Sequence, residues 1–182
     1  MSRRPRLTLS AEALVENFER LSSLLGATNC GATVKADAYG IGIDFVAPVL
    51  CDAGCEVFFV AYLKEAIKLR TLLPRANIYI FHGVDSDHID LCKRLKLTPI
   101  VNSVEDLHQM VGRSISVAIH IDSGLNRLGI PEHDFGKVYD LLPQLSCDLF
   151  MSHLACADEP NNPQNQRQLR NFQNICEGIR NH

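Results

Sequence analysis

Val34-Lys35-Ala36-Asp37-Ala38-Tyr39-Gly40-Ile41-Gly42 continues an apolar run that begins at Gly31, and its lysine decides how the chain is read. The run predicts a short buried strand over Gly31–Ala36, with Lys35 at its carboxyl end. Burying an ammonium is costly unless it is paired or deprotonated. Lys35 is therefore either solvated or ion-paired, as strand-end lysines commonly are, or desolvated and chemical. A desolvated lysine is the usual way to hold an aldehyde cofactor as a Schiff base. The stretch by itself leaves both readings open.

Outward from it, the chain alternates. Upstream, Ser10 is placed to cap a helix with Leu14, Phe18, Leu21 and Leu25 on one face, and Gly26 ends it. Downstream, Asp44 reads as the cap of a helix through Leu50, with Pro48 near its first turn. Glu56–Ala61 is a continuous apolar strand of the kind buried on both faces. A helix carrying Leu63, Ala66 and Ile67 stops before Pro74, and a strand follows at Asn77–Phe81. The next helix stripes Ile89, Cys92 and Leu95 before a strand at Leu97–Val101. Ser103 with Asp106 resembles a capping box for a helix through Val111. In the strand Ser114–Ile121, His120 shares a side with Ser116 and Ala118. Pro131 then opens a helix carrying Phe135, Val138 and Leu142. A strand at Cys147–Ser152 and a helix over about Asn165–Ile179 complete the pattern.

Six strands alternating with helices at intervals of about twenty residues mean βαβ units and a parallel sheet. A doubly wound sheet would show G-x-G-x-x-G after its first strand, and Gly40-x-Gly42 is too short to count. A (β/α)8 barrel places its chemistry at strand carboxyl ends, where Lys35, His82, Asn102, Asp122 and His153 fall. The fold class is thus α/β, a TIM-type barrel present as roughly six βα units, two short of closure.

The length of 182 residues suits one domain. A net charge of −3 gives no footprint for nucleic acid, and no stretch is long and apolar enough for a membrane span. The Arg3-Arg4-Pro5-Arg6 run lacks the apolar core of a signal peptide. Seven cysteines are too sparse for a disulfide scaffold. Cys51-x3-Cys55 and His153-x2-Cys156 lack the second pair that a metal site needs, so no metal is expected. Free thiols imply a reducing, cytoplasmic setting. His82, His88, His108 and His133 sit in no motif and read as solvated or structural.

Three segments bear chemistry: Val34–Gly40, Ile121-Asp122-Ser123-Gly124-Leu125-Asn126-Arg127-Leu128-Gly129, and Ser152-His153-Leu154-Ala155-Cys156-Ala157-Asp158-Glu159. In order and spacing they resemble alanine racemase, an isomerase with a pyridoxal 5'-phosphate-binding (β/α)8 barrel and a separate C-terminal β-domain. The resemblance runs from the first helix to the last. It implies that Lys35 is both the Schiff-base lysine and a catalytic acid-base. It also implies that Tyr39 contacts the cofactor phosphate. Arg127 would bond the cofactor's phenolic oxygen near the substrate carboxylate, and His153 would lie beside the ring. Tyr39 has a simpler reading as a plug at the barrel mouth, and His153 as a satisfied strand-end histidine. The implied reaction interconverts L- and D-alanine, supplying D-alanine for peptidoglycan, and the implied assembly is a homodimer.

Two residues depart from the family pattern. Ile41 stands where the family usually has histidine. His120 stands where many members have a lysine, often carbamylated, that steadies the arginine matching Arg127. Arg127 would then need another partner, such as a bound anion or Asp122. Residues 1–182 read as a truncated N-terminal barrel domain, without the later strands, the pyridine-facing arginine, most of the phosphate cradle, or the β-domain tyrosine that is the second base. The chain alone is expected not to racemise. Alternatives are a single-domain pyridoxal-phosphate-binding barrel protein and a vestigial non-catalytic module.

Overall fold

The computed structural model describes residues 6–180, so Arg3, Arg4 and Pro5 of the basic run lie outside the described residues. Its strands are β1 (Ala32–Thr33), β2 (Val57–Val60), β3 (Asn77–Ile80), β4 (Leu97–Val101), β5 (Ser116–Asp122), β6 (Ile130–Pro131) and β7 (Ser146–Met151). The helices are α1 (Ala11–Leu25), α2 (Lys35–Tyr39), α3 (Ile43–Asp52), α4 (Leu63–Leu72), α5 (Ile89–Leu95), α6 (Val104–Met110), α7 (Phe135–Leu141) and α8 (Pro163–Arg180). Strands pair in sequence order from β1 to β5, and β5 then pairs with both β6 and β7. Every pairing is parallel. Parallel neighbours joined by helices make the βαβ architecture that the alternation predicts. Among the described residues β1 and β7 do not pair, so the barrel is incomplete.

The helix-facing side of the sheet holds the core. Phe58, Val60, Ile78, Ile80 and Ile119 are fully buried there. Their neighbours Phe59, Tyr79 and Phe81 point the other way and are only partly covered. The apolar run of β2 is therefore not buried on both faces as expected. The inner rings instead stack on one another, Phe59 with Tyr79 at 5.1 Å and with Phe81 at 5.4 Å between centroids. Offset stacking of this kind holds an aromatic wall together without full burial.

Several boundaries differ from the sequence reading for identifiable reasons. β1 is only two residues long, because the chain leaves the extended region at Val34 (ψ 24°) and coils left-handed through α2. Asp44 does not cap α3. The Ile43 amide donates to Asp37 Oδ1 at 2.9 Å, and Asp44 pairs with Lys68 of α4. Pro48 lies inside α3 rather than in its first turn. Pro131 ends β6, a strand beyond the six expected, its neighbour Ile130 pairing with Ile121, and α7 begins only at Phe135. A proline is tolerated in so short a strand because few ladder bonds are at stake. β7 carries one extra residue, Asp148, between its partners for Val117 and Ala118.

Ser10 caps α1 as expected, its Oγ accepting from the Ala13 amide, and Gly26 ends it at φ 61°. The apolar face is only half used: Leu14 and Phe18 pack on the core, while Leu21 and Leu25 are exposed. Ser103 Oγ caps α6 by accepting from the Asp106 amide at 3.0 Å. All seven cysteines are free thiols. Burial pushes Cys92 and Cys147 up to about 11, which leaves them inert fillers.

Candidate active site

Lys35 is delivered to the sheet's carboxyl end by β1 and held there by an uncommon turn. Ala36, Asp37, Ala38 and Tyr39 all have φ between 52° and 56°, a left-handed coil that L-residues rarely sustain. Gly40 and Gly42, at φ 84° and 108°, let the chain leave it. The turn is pinned from outside by Glu65 of α4. Its carboxylate accepts from the amides of Ala36 (2.7 Å), Ala61 (2.7 Å) and Tyr62 (3.1 Å).

Lys35 Nζ lies 5.5 Å from the centroid of Phe81 and 6.0 Å from that of Tyr39. Among the described residues it has no carboxylate partner, so the ion-paired reading of this lysine does not hold. Aromatic faces cushion a cation without neutralising it.

A second loop arises from the end of β5. Asp122 Oδ1 accepts from three successive amides, Gly124, Leu125 and Asn126, at 2.9 to 3.0 Å. That oxygen builds the loop presenting Arg127 and does not form an ion pair with the guanidinium, contrary to one expectation. A third loop follows β7 and carries His153 at the surface. Partial desolvation, with the Arg127 and Lys35 cations nearby, holds His153 below the ordinary imidazole value.

The three loops enclose one cavity of about 490 Å3 that Lys35, Tyr39, Arg127 and His153 all line. The four residues picked from the sequence therefore converge. His82 and His120 also line it. The wall includes Phe59, Phe81, Leu128 and Met151 but no carboxylate. An aromatic floor under a lysine, an arginine and histidines is chemistry for a flat, anionic ligand.

The family model for the N-terminal domain of alanine racemase matches residues 9–182. The chain belongs to that family. A catabolic alanine racemase of Agrobacterium fabrum is 37% identical over 173 residues, covering 90% of this chain and 45% of the relative. The alanine racemase structure from Corynebacterium glutamicum superposes with a TM-score of 0.85 at 30% identity, over 94% of this chain and 51% of the other. The Bartonella henselae alanine racemase, solved with covalently bound pyridoxal phosphate, gives a TM-score of 0.84 at 28% identity, over 91% and 51%. The chain spans about half the length of the curated relatives it matches.

Sequence reasoning missed Glu65 and Gln168 as supports of the site. Glu65 was visible only as an acid at the third position of a helix. Gln168 was invisible, since nothing local marks a glutamine that will be buried.

Proposed function

We propose that this chain forms the cofactor-holding barrel of an alanine racemase, with pyridoxal 5'-phosphate in the cavity and Lys35 as its covalent anchor. The observation that carries this reading is the unpaired Lys35 ammonium in a cavity walled by cations and aromatic rings, with no carboxylate to compete. The residues fit the group. A planar, phosphorylated aldehyde needs a flat apolar floor, cationic neighbours and one amine, and Phe59, Phe81, Arg127, His153 and Lys35 offer those.

When bound, pyridoxal phosphate supplies an aldehyde for amines and an electron sink that makes an amino acid's α-proton removable. The roles of the chain follow from its geometry. Lys35 Nζ anchors the cofactor and, once free, takes or returns a proton on one face of the α-carbon. Arg127 presents a planar, always-charged guanidinium to a phenolate or carboxylate oxygen. Tyr39 and His153 bound the cavity at its mouth, with Tyr39 offering its hydroxyl to the phosphate. Phe59 and Phe81 exclude water from beneath the reacting atoms, which strengthens each charge interaction above them. On this reading residues 1–182 act as one barrel domain that holds the cofactor but does not racemise alone, and the intact enzyme, a cytoplasmic homodimer, turns over free alanine and supplies D-alanine for peptidoglycan.

The test is to mix the purified chain with pyridoxal phosphate, reduce with borohydride, and map the adduct by mass spectrometry. Modification of Lys35 above every other lysine, with the accompanying absorption band lost in Lys35→Ala, is the expected result. Labelling spread evenly over surface lysines, with no change in Lys35→Ala, would overturn it.

A further inference from the structure

Behind the cavity, α8 turns an amide stripe toward the site. Gln164, Gln168 and Asn171 recur at one-face spacing, and each bonds to a loop that bears a candidate site residue. Gln168 is fully buried. Its Oε1 accepts from the Ala155 amide at 2.8 Å, and its Nε2 donates to the His153 carbonyl at 2.9 Å and to Ser123 Oγ at 3.3 Å. Gln164 Nε2 donates to the Gly124 carbonyl and Asn171 Nδ2 to that of Ser123, each at 3.1 Å.

The hydroxyls have one consistent order. Ser152 Oγ donates to the Ile121 carbonyl at 2.8 Å, so it accepts from Ser123 Oγ at 2.7 Å, which in turn accepts from Gln168. A single side chain thus joins the loop that carries Arg127 to the loop that carries His153. A leucine would fill the same space with less desolvation penalty. The amide at this position is explained by what its three bonds connect, not by packing. Gly124, at φ 132°, is the point where the loop backbone meets Gln164 and Gln168, a Cβ there falling 3.4 Å from both.

We propose that Gln168 is a positioning residue: it locks the Arg127 loop to the His153 loop and so fixes the spacing of the two walls of the cavity that these residues form. The proposal rests on the reading of Arg127 and His153 as walls of one functional pocket, but the two readouts that decide it, amide exchange and titration, run without cofactor.

Gln168→Met keeps length and volume and removes all three bonds. Ile175→Ala, at a buried position of the same helix that bonds to neither loop through its side chain, controls for loosened packing. Hydrogen exchange at the Ala155 amide and the titration midpoint of His153 are read by NMR on the full chain. In Gln168→Met, Ala155 should exchange at least tenfold faster than in Ile175→Ala. His153 should titrate closer to the ordinary imidazole value, because Arg127 is freed to move away. Pyridoxal phosphate affinity should also fall severalfold more than in the control. Exchange and titration indistinguishable from Ile175→Ala would overturn the proposal. Failure of the parent chain to bind pyridoxal phosphate would instead sink the functional reading and leave the first two readouts to decide this one. If Gln168→Met does not fold, Ser123→Ala breaks the same bridge at its hydroxyl. It should shift both readouts in the same direction, and no shift would again overturn the idea.

Discussion

His120 shows how one buried residue constrains the site. Its Nδ1 lies 3.0 Å from Asn102 Oδ1, and Asn102 commits its Nδ2 to the carbonyls of Phe81 and Ile100. With the asparagine oxygen facing the ring, Nδ1 carries the proton and Nε2 of the neutral imidazole is an open acceptor. Gly129 seats the Arg127 loop over this ring. At φ 110° a Cβ there would fall 3.2 Å from His120 Cδ2 and 2.8 Å from the Asp122 amide. Burial, then the nearby His153 and Arg127, outweigh the pull of Asp122 and hold the His120 pKa below the ordinary imidazole value. The unfolded chain therefore takes up protons that the folded one refuses. This contribution is neutral above about pH 6.5. It erodes stability as pH falls from there through the lowered folded pKa, then levels off. Urea unfolding between about pH 8 and pH 5 should show that loss, and His120→Gln should flatten part of it. His153, which is depressed in the same direction, contributes with the same sign. An unchanged slope in His120→Gln would mean that the ring is hydrated and free.

At the scale of elements, the left-handed α2 turn is the costly feature, at about 1–2 kcal/mol per residue for non-glycine side chains. Such strain persists only where the surroundings over-determine it, and here Glu65 does so from α4 by gathering three amides from two loops. Glu65→Ala should cost about 2–4 kcal/mol, given that hydrogen bonds to charged groups are the strong class. It should also weaken cofactor binding beyond that loss by letting Lys35 wander. Denaturation midpoints and pyridoxal phosphate titration of the same variant measure the two effects, and equal losses in both would count against a positioning role. Glu65 also marks the limit of what was legible. Lys35, Tyr39, Arg127 and His153 could be read because each follows a strand within a motif, and parallel strands bring their carboxyl ends together. The helix starts at Ser10 and Ser103 were readable for the same local reason. Glu65 acts on an amide 29 residues away and Gln168 on a hydroxyl 45 residues away. No periodicity records such a contact, and β6 escaped because two residues ending in proline carry no strand signal.

For the molecule as a whole, the deciding fact is that among the described residues the sheet has two ends. β5, with neighbours on both sides, buries Val117 through Ile121 completely or nearly so, whereas no residue of β7 is fully buried. Leu149, Phe150 and Met151 of β7 are half-covered, and β1 offers only two residues to the opposite edge. On α1, Leu21, Leu24 and Leu25 are 57%, 77% and 46% exposed, an apolar stripe without cover among the described residues. Unpaired parallel edges and contiguous apolar surface both drive association. The 20.3 kDa chain should therefore elute above its monomer mass at micromolar to millimolar concentration, shift with dilution, and bind a hydrophobic dye. Leu24→Lys places a charge at the most exposed point of the α1 stripe and should reduce both effects without lowering stability, because Leu24 contributes little burial to lose. Light scattering across a dilution series decides the matter. A single monomeric species at every concentration, unaltered by Leu24→Lys, would show that neither the edges nor the α1 stripe is exposed enough to act.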